Sequence, residues 1–492
     1  MTLTIADMAT YCKKKGFVYP NSEIYGGISG FWDYGHIGAE LKNNLKRQWW
    51  KYHVHSREDI VGIDGSIISH PKVWIASGHV DCFADIMLEC EKCHERFRGD
   101  QLIEDTLKIA ADGLDSDAIN KLVTENKIKC TKCKSNLGPA SSFNLMFNTQ
   151  VGPAGGLQSY LRPETAQLIF TNFKLVQENA RLKLPFGIAQ VGRAFRNEIS
   201  PRDFLFRCRE FEQMEIEYFI DPKQTNECPF LKDVENLELN VYSAEMQEKK
   251  KPHQKMKIKD AMKKKIIKTP WHAYFLGLEL SWFTGLGCKG DNFRIRQHLD
   301  SEKSHYALDT WDLEYNFPFG WKELLGMANR TDFDLKAHMK HSKKDLSVFN
   351  EETKEKVIPH VVCEPSLGVD RAFLVFLFDA YNEDKKRGNI VLKLHPKVAP
   401  IKIGIFPLVN KLDKEAKEVY NMLKNEFHCF YDRSGSIGRR YARADEIGIP
   451  YCVTIDFDSQ KEGSFTVRNR DNTEQKRVKK EDLIKELRNL LH

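Results

Sequence analysis

The segment 188–219 combines arginines, glutamates and one aromatic residue in a pattern typical of two neighbouring strands. Read with a period of two, Arg196 and Glu198 share a face of the first strand, and Arg207 and Phe211 share a face of the second. Both faces of the second strand carry charge, which is costly in a domain interior unless the groups meet each other or a charged ligand. An edge hairpin laced with ion pairs is the simpler alternative, but apolar segments flank this hairpin.

The mixture of side chains fits a ligand that carries phosphates, a flat base and an ammonium group. Arginine binds phosphate through two parallel N–H donors and stays charged, and a ring such as Phe211 can stack on a purine. Glu198, two residues beyond Arg196, is placed to accept a hydrogen bond from an exocyclic amine. The chain contains no GxxxxGK[ST] sequence, so an antiparallel sheet with arginines, and not a P-loop, is expected to bind ATP.

The elements that must position these residues divide the chain into two parts. Up to about residue 398 the pattern mixes strands with helices, including a helix after "RPETAQ" and a strand, a turn and a buried helix in "VVCEPSLGVDRAFLVFLF". Beyond "HPKVAP", strands and helices alternate, which is typical of a separate α/β domain. We therefore predict domains at 1–398 and 399–492, with insertions in the first at about 90–140 and 221–290.

Composition sets further limits on the function. The 492 residues are 41% hydrophobic and 29% charged, as in ordinary globular proteins, and the net charge of +6 does not by itself indicate nucleic-acid binding. No segment approaches the length of a membrane span, and the N-terminal residues lack a leader-like apolar core, so we expect no membrane association. Twelve cysteines, several in CxxC pairs, favour a reducing compartment. The expected location is the cytoplasm.

Several sequence motifs together resemble one enzyme family. "FRNE" (195–198), "FRCREFEQMEIEY" (206–218) and "EPSLGVDRAF" (364–373) are similar to motifs 2 and 3 of class II aminoacyl-tRNA synthetases, and "GIDGSIISHPKVWIASGH" (62–79) resembles motif 1. "SEIYGGISGFWDYG" (22–35), "LRPETAQ" (161–167), the 296–315 stretch and "GWKELLGMANRTDFDL" (320–335) are similar to the homodimeric glycyl-tRNA synthetases in particular. The motifs occur in the family's order and cover nearly the whole chain.

The resemblance implies a fold and a reaction. The expected fold is an α+β class II catalytic domain, built on an antiparallel sheet of six or seven strands flanked by helices, plus a C-terminal α/β anticodon-binding domain. The expected enzyme is a glycine–tRNA ligase that activates glycine with ATP to glycyl-adenylate and then transfers it to the 3′ end of tRNA(Gly). Members of this family can also make diadenosine tetraphosphate. Partners implied are tRNA(Gly), glycine and a second copy of the chain, with Pro71 near the dimer interface.

Roles for individual residues follow from their positions in the motifs. Arg196 and Arg371 are the expected catalytic residues: Arg196 holds the α-phosphate, and Arg371, with Arg207, binds the outer phosphates together with Mg²⁺. The implied ATP site consists of Arg196, Asn197, Glu198, Phe206, Arg207, Phe211, Glu323, Leu324, Gly368 and Arg371. The implied glycine site consists of Arg98, Glu164, Phe211, Glu212, Gln213, Met214, Glu215, Glu364, Ser366 and Gly368. Glu323 is a candidate metal ligand, and crowded carboxylates around the glycine α-carbon are expected to exclude larger amino acids.

Two CxxC pairs in the first insertion predict a metal site. Cys90 and Cys93 form one pair, Cys130 and Cys133 the other, and four thiolates are the usual ligands of a tetrahedral structural Zn²⁺. The alternative is a loop of four reduced thiols whose metal site has been lost. Family members vary at these cysteines, so the resemblance does not decide between the two.

Basic segments and competing functions complete the hypotheses. The lysine-rich run 249–268 is typical of solvated surface, whereas "RSGSIGRRYARADEIGIP" (433–450) lies in the predicted anticodon-binding domain and is expected to contact tRNA. A prolyl or threonyl synthetase is disfavoured because Glu164, Glu215 and Ser366 leave no room for a side chain. A non-catalytic relative, such as a polymerase accessory subunit, is disfavoured by the intact Arg196, Glu198 and Arg371.

Overall fold

The computed structural model describes residues 3–109, 111, 113–153, 155–300, 302, 309–351 and 354–491. Residues 305–308, part of the 296–315 motif, lie outside the described residues. The strands, in chain order, are β1 (Val18–Pro20), β2 (Trp32–Tyr34), β3 (Ile60–Ile63), β4 (Ile68–Ser69), β5 (Ala84–Glu89), β6 (Arg96–Arg98), β7 (Ser141–Asn144), β8 (Asn148–Val151), β9 (Leu157–Leu161), β10 (Phe186–Phe195), β11 (Glu210–Ile220), β12 (Glu238–Tyr242), β13 (Gln254–Lys257), β14 (Phe293–Gln297), β15 (Thr310–Phe317), β16 (Gly320–Ala328), β17 (Val348–Asn350), β18 (Glu355–Val357), β19 (His360–Gly368), β20 (Tyr381–Asp384), β21 (Asn389–Leu392), β22 (Ile403–Pro407), β23 (Cys429–Tyr431), β24 (Tyr451–Ile455), β25 (Ser464–Asn469) and β26 (Gln475–Lys479).

The helices surround these strands and cap their ends. In chain order they are α1 (Ile5–Lys15), α2 (His36–Trp50), α3 (Pro71–Ala76), α4 (His79–Cys82), α5 (Gly99–Leu107), α6 (Ser116–Glu125), α7 (Ala166–Asn179), α8 (Ala244–Glu248), α9 (Ile258–Lys263), α10 (Pro270–Gly285), α11 (Phe333–Ser342), α12 (Val369–Ala380), α13 (Asp413–Leu423), α14 (Ile437–Glu446), α15 (Phe457–Glu462) and α16 (Leu483–Leu491). Among the helices of the described ranges, none is long and apolar enough to cross a bilayer.

The centre of the molecule is a nine-stranded sheet in the order β13-β12-β14-β15-β16-β19-β11-β10-β3. Its pairs are antiparallel except β10 with β3 and β12 with β14. The predicted antiparallel sheet with flanking helices is confirmed. The sheet has more than the expected six or seven strands because the polar segment 221–270 adds β12 and β13 at one side of it. The sequence predicted instead that this segment lies on the surface. Within that segment Lys249 and Lys250 are exposed, but Ile258 and Ala261 are buried.

Apolar side chains bury both faces of the sheet. Helix α12 packs on β11 and β19, and α10 packs on β19, with Phe275, Phe373 and Trp311 fully buried between these layers. Helix α7 packs on β10 and β11 from the other side, where Phe173 stacks on Phe186 at 5.7 Å between ring centroids. A central sheet covered on both sides gives its strand ends and loops a rigid base on which to position polar groups.

Residues 84–144 form a satellite unit with its own small core. Strands β6, β5 and β7 make a three-stranded antiparallel sheet, and α5 and α6 pack against it. Leu88, Leu102, Ile103 and Ile119 are its buried centre. The two CxxC pairs lie at the edge of this unit, where the backbones of Cys90 and Leu137 form an isolated antiparallel β-bridge.

The C-terminal residues form the predicted α/β domain. Its sheet has the order β23-β22-β24-β25-β26, with parallel β23, β22 and β24 and antiparallel β25 and β26. Helices α13 and α16 bury a separate core that includes Leu423 and Leu487. Helix α14 joins the two domains, because the hydroxyl of Tyr11 and the ammonium of Lys15 bind the backbone and the carboxylate of Glu446, respectively.

Candidate active site

Strands β10 and β11 pair as the predicted hairpin, but β10 ends at Phe195, before Arg196 and Glu198, and β11 begins at Glu210, after Arg207. Gln190 lies opposite Glu215, Gly192 opposite Gln213, and Ala194 opposite Phe211, so the odd-numbered residues of β11 share one face. This face borders a cleft of about 280 Å³. Eleven of the predicted site residues line it: Arg196, Glu198, Phe206, Arg207, Phe211, Gln213, Glu323, Leu324, Ser366, Gly368 and Arg371.

One end of the cleft presents an arginine above an aromatic ring. The guanidinium of Arg196 lies 5.3 Å from the ring centre of Phe211 and 5.4 Å from that of Phe83, and its Nε donates to the carbonyl of Pro163 at 3.1 Å. Nearby, the Nε of Arg207 donates to the buried carboxylate of Glu198 at 2.8 Å. This end of the cleft therefore offers a fixed guanidinium that can bind an anion and an aromatic face on which a nucleotide base can stack.

The second arginine of the cleft comes from the start of helix α12. The guanidinium of Arg371 lies 4.4 Å from the ring centre of Phe206 and donates to the carbonyls of Phe206 and Glu323 at 3.3 and 2.9 Å. Glu323 Oε2 is 3.3 Å from Arg371, and half of the Glu323 side chain is exposed. Backbone carbonyls thus orient Arg371 across the cleft from Arg196.

The carboxylates of Glu323 and Asp312 border one small space next to Gly326. A Cβ atom at Gly326 would lie 3.6 Å from Glu323 Oε1 and 3.9 Å from Asp312 Oδ1. Burial raises the pKa of Asp312 to about 6, although His298 Nε2, at 2.7 Å from Asp312 Oδ2, opposes the shift. Carboxylate oxygens are the ligands that Mg²⁺ prefers, and the half-exposed Glu323 faces the cleft, so this donor set fits that ion.

Three glutamates from different elements form the deeper end of the site. Glu215 is 1% exposed, accepts a hydrogen bond from the hydroxyl of Thr165, and lies opposite Ser366 on β19. Burial raises the pKa of Glu215, and the nearby charge of Glu164 raises it further. Glu364 is buried two residues along β19 from Ser366. The three carboxyl groups and one hydroxyl offer hydrogen-bond acceptors to a donor, and Arg330 acts on Glu215 only through its charge.

Glu164 is the ionised member of this group. Burial opposes its charge, but His79 at 3.3 Å, Arg330 and a hydrogen bond from Gln167 at 3.0 Å hold its pKa well below the ordinary value. Glu364 differs: burial raises its pKa to about 8, and the attraction of Arg330 only partly offsets this. An arriving ammonium would therefore meet one permanent charge and a carboxyl that it can itself ionise.

The sequence analysis missed the arginine that organises this end. Arg330 is 4% exposed and donates to Glu364 Oε1 at 2.8 Å and to both oxygens of Asp334 at 2.7 and 2.9 Å. Gln167 links Asp334 back to Glu164 through donations of 2.9 and 3.0 Å. The sequence did offer a sign of this ion pair: Arg330 and Asp334 in "NRTDFD" are four residues apart, a spacing that brings two side chains together at the N-terminus of a helix.

Several predicted residues lie elsewhere. Glu212 and Met214 point to the opposite face of β11, where Glu212 pairs with Lys46 at 2.9 Å and Met214 is fully buried. Asn197 is held by its backbone, which donates to the carbonyl of Leu145 at 2.8 Å. Arg98 on β6 pairs with Asp100 at 2.5 Å, near the Arg207 end of the cleft. The structure does not bring Arg98, Glu212 and Met214, which were predicted for the glycine site, to the three glutamates.

The four cysteines of the satellite unit converge on one point. Cys90 Sγ lies 3.4 Å from Cys133 Sγ, and Cys93 Sγ lies 3.6 Å from Cys130 Sγ, with all four sulfurs within 4.8 Å of one another. A tetrahedron of thiolates at about 2.3 Å from Zn²⁺ has sulfur–sulfur edges of about 3.8 Å. Hydrogen bonds from Ser135 lower the pKa of Cys133 to about 6, which favours the ligating thiolate. The donor set fits Zn²⁺.

The basic helix of the C-terminal domain divides its arginines by role. Arg440 is 2% exposed and donates to the carbonyls of Pro407 and Gly435, so it is internal and not available to a partner. Arg433 and Arg439 are exposed. Of the basic residues predicted to contact nucleic acid in this segment, these two present their charge to solvent.

Comparisons with known proteins agree with this architecture. Residues 154–380 match the family model of the tRNA synthetase class II core domain (G, H, P, S and T), and residues 402–490 match that of the anticodon binding domain. The chain is 45% identical to the glycine–tRNA ligase of Caldanaerobacter subterraneus subsp. tengcongensis, over 97% of this chain and 96% of that one. It is 44% identical to the proteins of the same name from Ruminiclostridium cellulolyticum and Acetivibrio thermocellus, in each case over 98% of this chain and 97% of the relative.

Proposed function

Because the chain belongs to the glycine–tRNA ligases, a family of class II aminoacyl-tRNA synthetases, we propose that it joins glycine to tRNA(Gly) in two steps at the cleft on the central sheet. The observation that carries this proposal is the arrangement of the cleft. The cleft is lined by arginines and aromatic rings, suited to a nucleoside triphosphate, and its wall residue Ser366 pairs with Glu215 of the buried carboxyl group cluster, suited to a small ammonium. The activated bond would form where the two ends meet.

In the first step, a carboxylate oxygen of glycine attacks the α-phosphorus of ATP and pyrophosphate leaves. Arg196 binds the α-phosphate oxygens and stabilises the charge that accumulates there in the transition state. Glu198 accepts from the adenine amine, Phe211 stacks on the ring, and Arg207 and Arg371 bind the outer phosphates. Glu323, with Asp312 beside it, would hold a Mg²⁺ ion that neutralises phosphate charge and orients the leaving pyrophosphate.

In the second step, a hydroxyl at the 3′ end of the tRNA attacks the carbonyl carbon of glycyl-adenylate, and AMP leaves. The exposed arginines of the C-terminal domain contribute salt-dependent affinity for the tRNA backbone. We assign residues 1–398 to activation and residues 399–492 to tRNA binding. Attack by a second ATP on the same adenylate, with glycine leaving, would give diadenosine tetraphosphate as a side product. The proposed substrates are cytoplasmic, and we place the enzyme in that compartment.

Specificity for glycine follows from crowding at the ammonium. A pocket discriminates poorly against a substrate smaller than its own, since one methylene contributes only about 1–3 kcal/mol. Glycine is the smallest amino acid, and Glu215, Glu364 and Ser366 occupy the space where a side chain would project. Prolyl and threonyl synthetases need room at this position. The buried Arg330 holds Glu364 in its position by donating to it at 2.8 Å.

We also propose that two copies of the chain associate. Apolar side chains are exposed on the β4-β9-β8 sheet and on the neighbouring helix α3, which begins at Pro71: Ile67, Ile68, Ile75, Val151 and Leu157. Val151 and Leu157 are cross-strand partners, so their side chains form one patch. Exposed apolar surface of this kind marks an interaction site, and a symmetric partner would cover it.

Amino-acid-dependent pyrophosphate exchange tests the proposed activity. The purified chain is incubated with ATP, Mg²⁺, labelled pyrophosphate and each of the twenty amino acids in turn. We expect exchange into ATP with glycine and only background with the others. Exchange driven by another amino acid would contradict the specificity, and absence of exchange with all twenty would contradict the activation step.

A further inference from the structure

A fourth glutamate lies beneath the ammonium site and has no role in the mechanism above. Glu217 is 0% exposed, and neither of its carboxyl oxygens has a hydrogen-bond partner among the described residues. One carboxyl oxygen each of Glu215, Glu217 and Glu364 lies within 4.8 Å of the others. A buried carboxyl group without a donor is rare in folded proteins, because the loss of hydration is not compensated.

The sheet register places this glutamate against another. β11 pairs with β19 so that Glu215 lies opposite Ser366 and Tyr218 opposite Cys363, which sets Glu217 directly across from Glu364. Like charges at facing positions of two strands repel each other, and more strongly when water is excluded. Both carboxyl groups therefore cannot be ionised together at neutral pH.

The surrounding charges decide which of the two holds the proton. Glu364 accepts a hydrogen bond from Arg330, and two further N–H groups of that guanidinium donate to Asp334 on helix α11. Glu215 adds a further carboxyl group on β11, the strand of Glu217. The residue across from Glu217 on β10 is the apolar Ile188. Glu217 thus faces the acidic groups of Glu364, Glu215 and Asp334, whereas Arg330, which opposes them, already donates to Glu364 and Asp334.

Electrostatics supports the same assignment. Burial raises the pKa of Glu217 well above its ordinary value, Glu364 raises it further, and Arg330 only partly opposes the shift.

We propose that Glu217 is a positioning residue that stays protonated at neutral pH and, once the substrate ammonium has ionised Glu364, donates its hydroxyl hydrogen to that carboxylate and holds it toward the ammonium. The proposal rests on the proposed binding of glycine by Glu164, Glu215 and Glu364. A neutral donor orients Glu364 from below without adding a second uncompensated charge to the pocket. The pocket then carries enough negative charge for one ammonium and not for a divalent cation.

Infrared spectroscopy tests the protonation without any substrate. The spectrum of Glu217→Gln is subtracted from that of the unmodified chain at neutral pH. We expect the unmodified chain to show the carbonyl stretch of a protonated, buried carboxylic acid that the variant lacks. Loss of ionised carboxylate bands instead would overturn the proposal, and this result does not depend on the enzymatic reaction.

Exchange kinetics test the positioning. Glutamine keeps the shape and the donor, so Glu217→Gln should leave the KM for glycine within about threefold of the unmodified chain. Glu217→Leu keeps the approximate volume but removes the donor, and should raise the KM for glycine about tenfold with the KM for ATP unchanged. A general packing defect would move both constants together.

Each kinetic outcome has a definite meaning. A tenfold increase of the KM for glycine in Glu217→Gln would show that glycine binding depends on a negative charge at Glu217. An unchanged KM in Glu217→Leu would show that glycine binding does not depend on a hydrogen-bond donor at this position. Either result overturns the proposal. If Glu217→Leu does not fold, as judged by thermal melting, the infrared difference and Glu217→Gln decide. Absence of glycine-dependent exchange in the unmodified chain would instead contradict the proposed function.

Discussion

Replacement of Glu215 separates the two contributions that its carboxylate makes to glycine selection. The side chain is 1% exposed, and its carboxylate accepts from Thr165 and lies opposite Ser366. In the proposed complex it also accepts a charge-assisted hydrogen bond from the glycine ammonium. Loss of such a bond costs about 1.5–3 kcal/mol, which corresponds to a factor of about 10–100 in the KM for glycine.

Two variants at this position distinguish charge from volume. Glu215→Gln removes the charge and keeps the size, so we expect weaker glycine binding and unchanged rejection of alanine and serine. Glu215→Ala removes both, so alanine and serine should become weak substrates while glycine binding falls by a similar factor. Ser366→Ala, which deletes a neutral hydroxyl and little volume, should change the KM for glycine less than either.

Pyrophosphate exchange with glycine, alanine and serine, measured over a range of concentrations, gives the required constants. The KM for ATP serves as the internal control, because the arginine end of the cleft is not altered. Glycine kinetics that remain unchanged in both Glu215 variants would place this carboxylate outside the substrate site. Acceptance of alanine by Glu215→Gln would show that charge, and not crowding, excludes larger amino acids.

Four other outcomes follow from the structure. Arg196→Ala should reduce the rate of exchange at least about a hundredfold with normal circular dichroism, whereas replacement of the exposed Arg193 on β10, three residues earlier, by alanine should change it little. Near-normal exchange in the Arg196 variant would refute its role. The purified chain should contain one zinc ion per chain by elemental analysis and lose it in Cys93→Ser, and a metal-free chain with full thermal stability would argue for the alternative of unliganded thiols. Ile68→Asp should yield monomers by light scattering if the exposed apolar patch is the dimer interface, and a dimer that persists would place the interface elsewhere. Burial opposes the charge of Asp456, but hydrogen bonds from its neighbours lower its pKa from 3.8 to about 2. The loss of stability in Asp456→Ala, about 1 kcal/mol for a helix cap, should therefore be present above about pH 4 and disappear as the pH falls towards 2. A difference in chemical denaturation that does not depend on pH would contradict this.

The parts of the site that alternate along one strand were predictable from the sequence. The period of two predicts that alternate residues of the second strand share a face, and the structure places Phe211, Gln213 and Glu215 on one face of β11. Local alternation is enough here because the side chains of a strand must point to opposite sides of the sheet. The fold class followed from the same patterns together with the resemblance, and it is also confirmed.

The contacts that bring separate segments together were not predictable in this way. Arg330 reaches Glu364, and Thr165 reaches Glu215, across gaps of 34 and 50 residues. Such pairs depend on how α7, α11 and the sheet pack, and no local period records that packing. The edge strand β13, and β12 beside it, were missed for a related reason, since the lysines of β13 are exposed at the sheet edge and make that segment resemble a loop.

The position of glycyl-adenylate in the cleft tests the central claim most directly. A structure of this chain would be determined with a non-hydrolysable analogue of glycyl-adenylate bound. The ammonium should lie among Glu164, Glu215 and Glu364, with the phosphate mimic on Arg196 and the adenine ring on Phe211. An analogue that binds outside the cleft, or that lies in it with the ammonium directed away from the three carboxylates, would contradict the assignment of the site.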